Sequence, residues 1–202
     1  MRLGLDLRAI DDPGRRRALA VEADGLGLWA VLVGGPPGAE TVVAAALATA
    51  TVDLHLAVWL DARAGHPVGL AEEVAVLDHL SRRRALAVVD GPADAVDRID
   101  RLLAGEIVDG VTLTPPPAQT RVPVWPATAV ETVALTGDLP RDRSTVDELR
   151  DGGATHPFVT WPGPLAALAR HLATRAAEPA FPPLVADQAE IIDPIDPRPG
   201  PA

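Results

Sequence analysis

Ala20–Gly35 reads AVEADGLGLWAVLVGG, and Val52–Gly91 reads VDLHLAVWLDARAGHPVGLAEEVAVLDHLSRRRALAVVDG. Between them lies AETVVAAALATA, Ala39–Ala50. Three short apolar runs, Leu28–Val33, Leu54–Leu60 and Arg84–Val89, alternate with two longer helical patterns. Strand, helix, strand, helix, strand is the grammar of a parallel sheet with helices packed on it. Each run is apolar throughout rather than alternating, as a strand covered on both faces requires.

The same grammar extends toward the N-terminus. Arg2–Leu7 alternates, placing Leu3, Leu5 and Leu7 on one face of a first strand. Asp11-Asp12-Pro13 opens a helix, with Asp at the N-cap and Pro at the first helical position. The helix runs to about Leu26, with Leu19, Ala23 and Leu26 inward, and Gly25 and Gly27 stop it. Gly34-Gly35-Pro36-Pro37-Gly38 breaks the second strand. Pro67 opens the helix to Leu80, with His66 near its cap and Leu70, Val74 and Leu77 on one face.

Toward the C-terminus, Pro92–Ala104 has a helical period through Val96, Ile99, Leu102 and Leu103. The remainder is less regular. Strands are expected at Asp109–Thr114, Val122–Trp125 and Thr132–Thr136, and at the GGATHPFVT stretch. Helical turns are expected at Thr145–Arg150 and a closing helix at Leu165–Ala176. From Glu178 onward closely spaced prolines oppose regular structure. Pro179–Ile192 reads as a surface arm and Asp193–Ala202 as a free tail.

Composition narrows the chemistry. At 202 residues the chain is one domain by length, and a core burying roughly 70% of the unfolded surface is within reach. Formal net charge is −10, which argues against general nucleic-acid binding. The Arg15–Arg17 and Arg82–Arg84 runs read as solvated helix ends or partners of helix dipoles. Cys and Tyr are absent, and every basic residue is Arg. A thiolate nucleophile, a Cys-based metal site, a Schiff-base lysine and a phenolic acid are thereby excluded. Ser81 and Ser144 lie outside any G-x-S-x-G, and the five histidines form no H-E-x-x-H pattern. No apolar run reaches membrane-spanning length. MRLGLDLRAIDD turns acidic too early for a signal peptide, so a cytoplasmic protein is expected.

Several of these stretches together resemble the luciferase-like flavin-dependent monooxygenases and their deazaflavin (F420)-dependent relatives. The matching features are AxEADGLGLWAVLV, a strand followed by HPVxLAEEVAVLDHLS, LLAGEIVDGVTLTPPPAQTRVPVW and a late G-A-T-H. The resemblance implies a β/α barrel, a flavin-type cofactor (FMN or F420), a small-molecule substrate and a dimer formed through the second and third helices, Ala39–Ala50 and Pro67–Leu80. Small residues Ala44, Ala45, Ala46 and Ala48 suit either a tight seat on the barrel or such a subunit seam.

Up to eight strand candidates stand against about six helices, and a complete barrel takes about 250 residues, roughly 200 at the least. The expectation is a shortened (β/α)8 TIM-type barrel with a compressed second half over residues 1–178. An open doubly wound sheet is the alternative, opposed by the lack of G-x-G-x-x-G after the first strand.

Chemistry in a β/α barrel belongs at the carboxyl ends of the strands. The candidates for holding the cofactor are Asp6, Trp59, Asp61, Asp90, Gly91, Trp125 and Trp161. Trp59, Trp125 and Trp161 either wall a flat slot for the flavin rings or pack at the rim. Asp61 and Asp90 are proton carriers or helix caps. No catalytic residue is assigned. The place where F420-dependent members carry an acid or His holds Gly34-Gly35, and the family's S-x-G-R turn is Ser81-Arg82-Arg83-Arg84 here. Pro162 and Pro164 remove N–H groups from the start of the closing helix, leaving Gly163, Leu165 and the arginines Arg121, Arg141 and Arg143 to face a phosphate. FMN or F420 is therefore expected to bind weakly. Two functions remain open: a flavin- or F420-dependent oxidoreductase, or a non-catalytic homologue that dimerises or keeps flavin as a ligand.

Overall fold

The computed structural model describes residues 1–36 and 38–172. The expected arm and tail, and the end of the closing helix, lie outside the described residues. Seven strands alternate with six helices: β1 Gly4–Asp6, α1 Pro13–Gly25, β2 Ala30–Val33, α2 Glu40–Ala48, β3 His55–Asp61, α3 Pro67–Leu80, β4 Ala85–Asp90, α4 Ala93–Leu103, β5 Val124–Pro126, β6 Thr132–Ala134, α5 Leu139–Asp151, β7 Phe158–Thr160 and α6 Leu165–His171. Every strand pair is parallel, and the order is β5-β4-β3-β2-β1-β7-β6. This is the circular order of a β/α barrel, opened between β5 and β6. The fold is a shortened TIM-type barrel, as the sequence implies.

The compression falls at the opening. A single turn of 3-10 helix, Ala127–Ala129, joins β5 to β6 where a full repeat would carry an α-helix. The sheet nevertheless curls. Trp125 on β5 and His156 just before β7 both contact Trp29, at ring-centroid distances of 5.8 and 4.5 Å. Four strands separate β5 from β7 in the sheet, so the rings meet across the barrel interior.

Alternation along the strands explains both cores. Leu5, Val31, Val33, Leu56, Val58, Leu60, Ala87 and Val89 face outward to meet Ala23, Leu47, Val74 and Ile99 of the helices. Their neighbours Ala30, Leu32, Ala57, Leu86, Val88 and Phe158 fill the interior around Trp29. Gly4 makes room for the largest of these, since a Cβ there would lie 2.4 Å from Phe158 Cδ1. Substitution would overpack the interior.

Caps read from sequence are in place. Asp12 accepts the Arg15 N–H at 2.6 Å, and the His66 ring accepts from Val68 N–H at 3.3 Å. Gly27 closes α1 with φ +72°. In contrast, the Arg82–Arg84 run is not simply solvated. Arg84 turns inward, donating to the carbonyls of Ser81, Leu54, Ala48 and Thr51 and to Thr51 Oγ1. It thereby satisfies orphan carbonyls at the C-terminus of α2. Ser81 Oγ accepts the Arg84 N–H at 3.2 Å, while Arg82 and Arg83 take φ of 56° and 68°.

Three expectations in the second half need correction. Asp109–Thr114 is not a strand. Asp109 and Gly110 both have positive φ, 52° and 79°, and turn the chain so that Val108 and Val111 pair antiparallel, as Asp-Gly favours. The helix predicted from Thr145 begins at Leu139. Asp138-Leu139-Pro140 is the start signal, and buried Asp142 accepts from Thr136 N–H, Thr136 Oγ1 and Gly137 N–H at 2.9, 2.9 and 2.8 Å. The late G-A-T-H precedes its strand, which begins only after Pro157. On α2 the small residues divide: Ala44 and Ala48 are buried on the barrel, whereas Ala45 is half-buried and Ala46 exposed.

Candidate functional site

The carboxyl end of β1 delivers Asp6 inward, nearly buried, and two residues later the chain returns Arg8 over it. Arg8 Nε and its terminal nitrogen grip the Asp6 carboxylate at 3.0 and 2.7 Å, and the Arg8 backbone N–H donates to Asp6 Oδ1 at 3.0 Å. A forked, charge-assisted pair of this kind fixes both side chains. The same guanidinium lies 4.3 Å from the Trp59 ring centroid. A Cβ on Gly34 would come within 3.3 Å of Arg8 Cγ. The Arg8 side chain thus runs over Gly34, the glycine just past the end of β2.

Asp61 and Asp90 are register partners on β3 and β4. Neither caps a helix by a side-chain hydrogen bond. Arg63 spans them instead, 3.0 Å from Asp90 Oδ1 and 3.9 Å from Asp61 Oδ1. The hydrogen bond and charge of Asp90 push the Arg63 guanidinium further up, although this exposed pair adds little to stability. Gly91 follows, pressed so close to Ala62 that a Cβ would lie 2.8 Å from the Ala62 Cβ.

The three tryptophans divide. Trp59 and Trp125 share one row of the sheet, both in register with Val88 between them. Trp125 extends to Trp29 and His156 at the amino side, while Trp59 sits beneath Arg8. Trp161 lies past the end of β7, its indole N–H donating to Pro164 O at 3.0 Å. It shares with Asp6, Arg15, Leu135, Thr160 and Gly163 a cavity of about 290 Å³. A second cavity, about 220 Å³, is lined by Asp61, His66, Glu40 and Glu73. Of the arginines expected near a phosphate, Arg121 is paired with Asp100 at 2.6 Å.

Sequence reasoning missed Arg8, Arg15 and Arg63. The signal for Arg8 was its place two residues beyond Asp6, where a strand exit turns back over itself. Together, Asp6, Arg8, Trp59 and Trp161 provide flat apolar walls, a cation and a carboxylate at one end of the barrel. These residue types suit a planar, anionic cofactor; of the four, Asp6 and Trp161 line the cavity and Arg8 and Trp59 do not. No group of His, Asp or Glu with metal-binding geometry occurs among the described residues, and no described helix is long and apolar enough to cross a membrane.

Comparison with known proteins yields likeness in structure only. The sequence matches no family profile and no curated protein. Among solved structures the chain is similar to monooxygenase RslO1 from Streptomyces bottropensis, with a TM-score of 0.51 and 19% identity over 77% of this chain and 59% of that one. It is similar to the coenzyme F420-dependent tetrahydromethanopterin reductase from Methanopyrus kandleri, with a TM-score of 0.51 and 16% identity over 78% and 64%. It is also similar to the oxygenating constituent of 3,6-diketocamphane monooxygenase from Pseudomonas putida, solved with FMN, with a TM-score of 0.50 and 15% identity over 85% and 60%. The chain spans less than two thirds of the length of each. At these identities the likeness is one of fold, and it is the fold that the sequence resemblance implied.

Proposed function

We propose that this chain binds a flavin-type cofactor, FMN or F420, at the carboxyl face of its sheet and serves as an oxidoreductase of the luciferase-like type acting on a small molecule. The observation that carries the reading is Arg8 laid across Trp59 and forked onto Asp6. A flat ring, a fixed cation and a carboxylate meet where the barrel fold places its chemistry. Two of the solved structures of this fold are described as F420-dependent or as holding FMN. When bound, such a cofactor supplies the hydride or oxygen chemistry itself, which suits a chain without Cys, Lys or Tyr. Arg8 would hold its anionic part, Trp59 and Trp161 its rings, and Asp6 would orient Arg8.

Binding is expected to be weak. Asp6 already satisfies Arg8, and Pro162 and Pro164 withhold N–H donors near Trp161. A dissociation constant in the micromolar range or above corresponds to about 8 kcal/mol or less. Calorimetric titration of the whole chain with FMN and with F420 tests this. Tight, stoichiometric cofactor would refute the weak site while strengthening the enzyme reading. No binding of either at high micromolar concentration would sink the proposal in favour of a non-catalytic homologue.

A homodimer through α2 and α3 is part of the same proposal. These helices bound a groove of about 480 Å³ that includes Ala45, and Val42, Val76 and Leu80 along it are 66%, 48% and 54% exposed. Contiguous apolar exposure of this kind marks an interaction surface.

A further inference from the structure

The opening between β5 and β6 leaves a cavity of about 460 Å³ at the amino ends of the strands, away from the Asp6–Arg8 pair. Its lining comes from three places that the missing repeat brings together: Trp125 on β5, the Ala129–Glu131 approach to β6, and the Gly152–Pro157 loop before β7. A full repeat would set a helix over this seam. Here the 3-10 turn leaves it uncovered.

We propose that this seam is a second ligand site, one that takes a flat, uncharged heteroaromatic ring of nucleobase type, stacked against Trp125 and hydrogen-bonded along its edge by His156. The aromatic side is already built. Trp125 lies nearly parallel to Trp29, at 25°, and 5.6 Å from His156, so a ring entering the seam extends a stack that begins in the interior. Trp29 and Phe158 back the stack and fix its position. Trp125 and His156 are only half-buried, leaving surface for a further ring. Stacking on an aromatic side chain tolerates any base, because every base has a π-face.

The polar edge is also specific. One His156 nitrogen, Nδ1, is engaged with Thr155 Oγ1 at 3.0 Å, and Nε2 makes no hydrogen bond among the described residues. Burial, then the nearby Arg2 charge, pushes the imidazole below its usual value. It is therefore neutral at pH 7 and can meet a donor or an acceptor according to its tautomer. Gly152 and Gly153 leave part of the wall without side chains, and a Cβ on Gly153 would meet nothing within 4 Å. The volume falls within the ordinary range of small-molecule sites, about 300–1,000 Å³.

Adenosine is the probe, with ribose as the non-aromatic control. Calorimetry and saturation-transfer NMR on the whole chain should detect saturable adenosine binding and none of ribose, with the base protons nearest the protein. Trp125→Leu should weaken binding about tenfold or more, and His156→Gln should do so to a lesser degree. Trp125 helps fill the interior, so a second variant leaves the core alone. Ala129→Trp places a large ring in the seam from an exposed position and should abolish binding with an unchanged melting profile. Arg8→Leu, at the other end of the barrel, should leave adenosine affinity as it is. No saturable binding at millimolar adenosine, binding untouched by Ala129→Trp, or loss of adenosine binding in Arg8→Leu would each overturn the seam site.

Discussion

The guanidinium of Arg8 rests 4.3 Å from the centre of the Trp59 ring while its nitrogens hold Asp6. One strand exit thus covers an aromatic residue of β3, two strands away. Any anionic group approaching Trp59 meets a cation whose charge is already matched. Cofactor affinity should therefore move in opposite directions at the two ends of the pair. Arg8→Leu removes the cation and should weaken FMN or F420 binding several-fold. Asp6→Asn releases Arg8 from its carboxylate and should strengthen binding, at about 1–3 kcal/mol of fold stability from the lost charged hydrogen bonds. Calorimetry on both variants decides, and a shift in the same direction for both would contradict this role for Arg8.

Arg83 has φ +68° in the turn between α3 and β4, at the glycine position of the S-x-G-R pattern. A left-handed conformation costs a residue with a Cβ about 1–2 kcal/mol. Glycine avoids that but gains freedom in the unfolded chain, worth about 0.4–1 kcal/mol. Arg83→Gly should leave a net gain of about 0.5–1 kcal/mol and raise Tm by roughly 1–4 °C. Arg84, which carries the buried hydrogen bonds of this turn, should show the reverse. Arg84→Ala orphans the carbonyls of Ala48, Thr51 and Leu54 and should lower Tm markedly in the same melting experiment.

Asp142 accepts three hydrogen bonds from Thr136 and Gly137 at the start of α5. Burial alone would push its carboxyl up, but the hydrogen bonds from Thr136 and Gly137 outweigh it and hold the group below its usual value. A folded-state value below the unfolded one, about 3.9, means the stabilisation is complete above that pH. It is lost as pH falls through the folded value. Asp142→Asn cannot accept from both backbone N–H groups and should cost about 1–3 kcal/mol at pH 7. Denaturant unfolding at pH 7 and below pH 4 should show the gap between the two proteins narrowing in acid. A constant gap would show that the carboxylate charge is not what stabilises the turn.

If α2 and α3 form the seam of a homodimer, Ala45→Arg should separate the subunits by placing an unpaired charge in a tight contact. Val42→Arg should do the same from its exposed position. Light scattering at micromolar concentration reads both, and a monomeric parent protein would end the proposal. Ala48→Arg is expected to do something different. Ala48 is 5% exposed against the barrel, so this change should unfold the chain rather than dissociate it.

The first half of the fold was legible in the residues because each element there carries its own local signal. Apolar runs mark β2, β3 and β4, Asp12-Pro13 and His66-Pro67 mark helix starts, and Gly27 marks a stop. Alternation put Leu3, Leu5 and Leu7 on one face of a first strand, and all three pack in the core between sheet and helices. The second half yielded less: β5, β6 and β7 are three residues each, and none is flanked by an aliphatic alternation as long as Leu3, Leu5 and Leu7 around the equally short β1. Two turn signals were nevertheless there and were outweighed by neighbouring valines and threonines: Asp109-Gly110 and Asp138-Leu139-Pro140.

Which residues meet was decided by the tertiary structure. Asp6 and Trp59 are far apart in sequence, and only the curl of the sheet and the return of Arg8 bring them together. Asp61 and Asp90 share a cation because β3 and β4 are in register. Trp125, on the edge strand β5, is half-buried against Trp29 because the curl of the sheet brings the two together. Local propensity sets the elements along the chain, whereas strand register, sheet closure and the missing helix between β5 and β6 are properties of the packed whole. The sequence determined a β/α barrel of shortened length without thiol, amine or phenol chemistry; packing determined where its charges pair and where the barrel stays open.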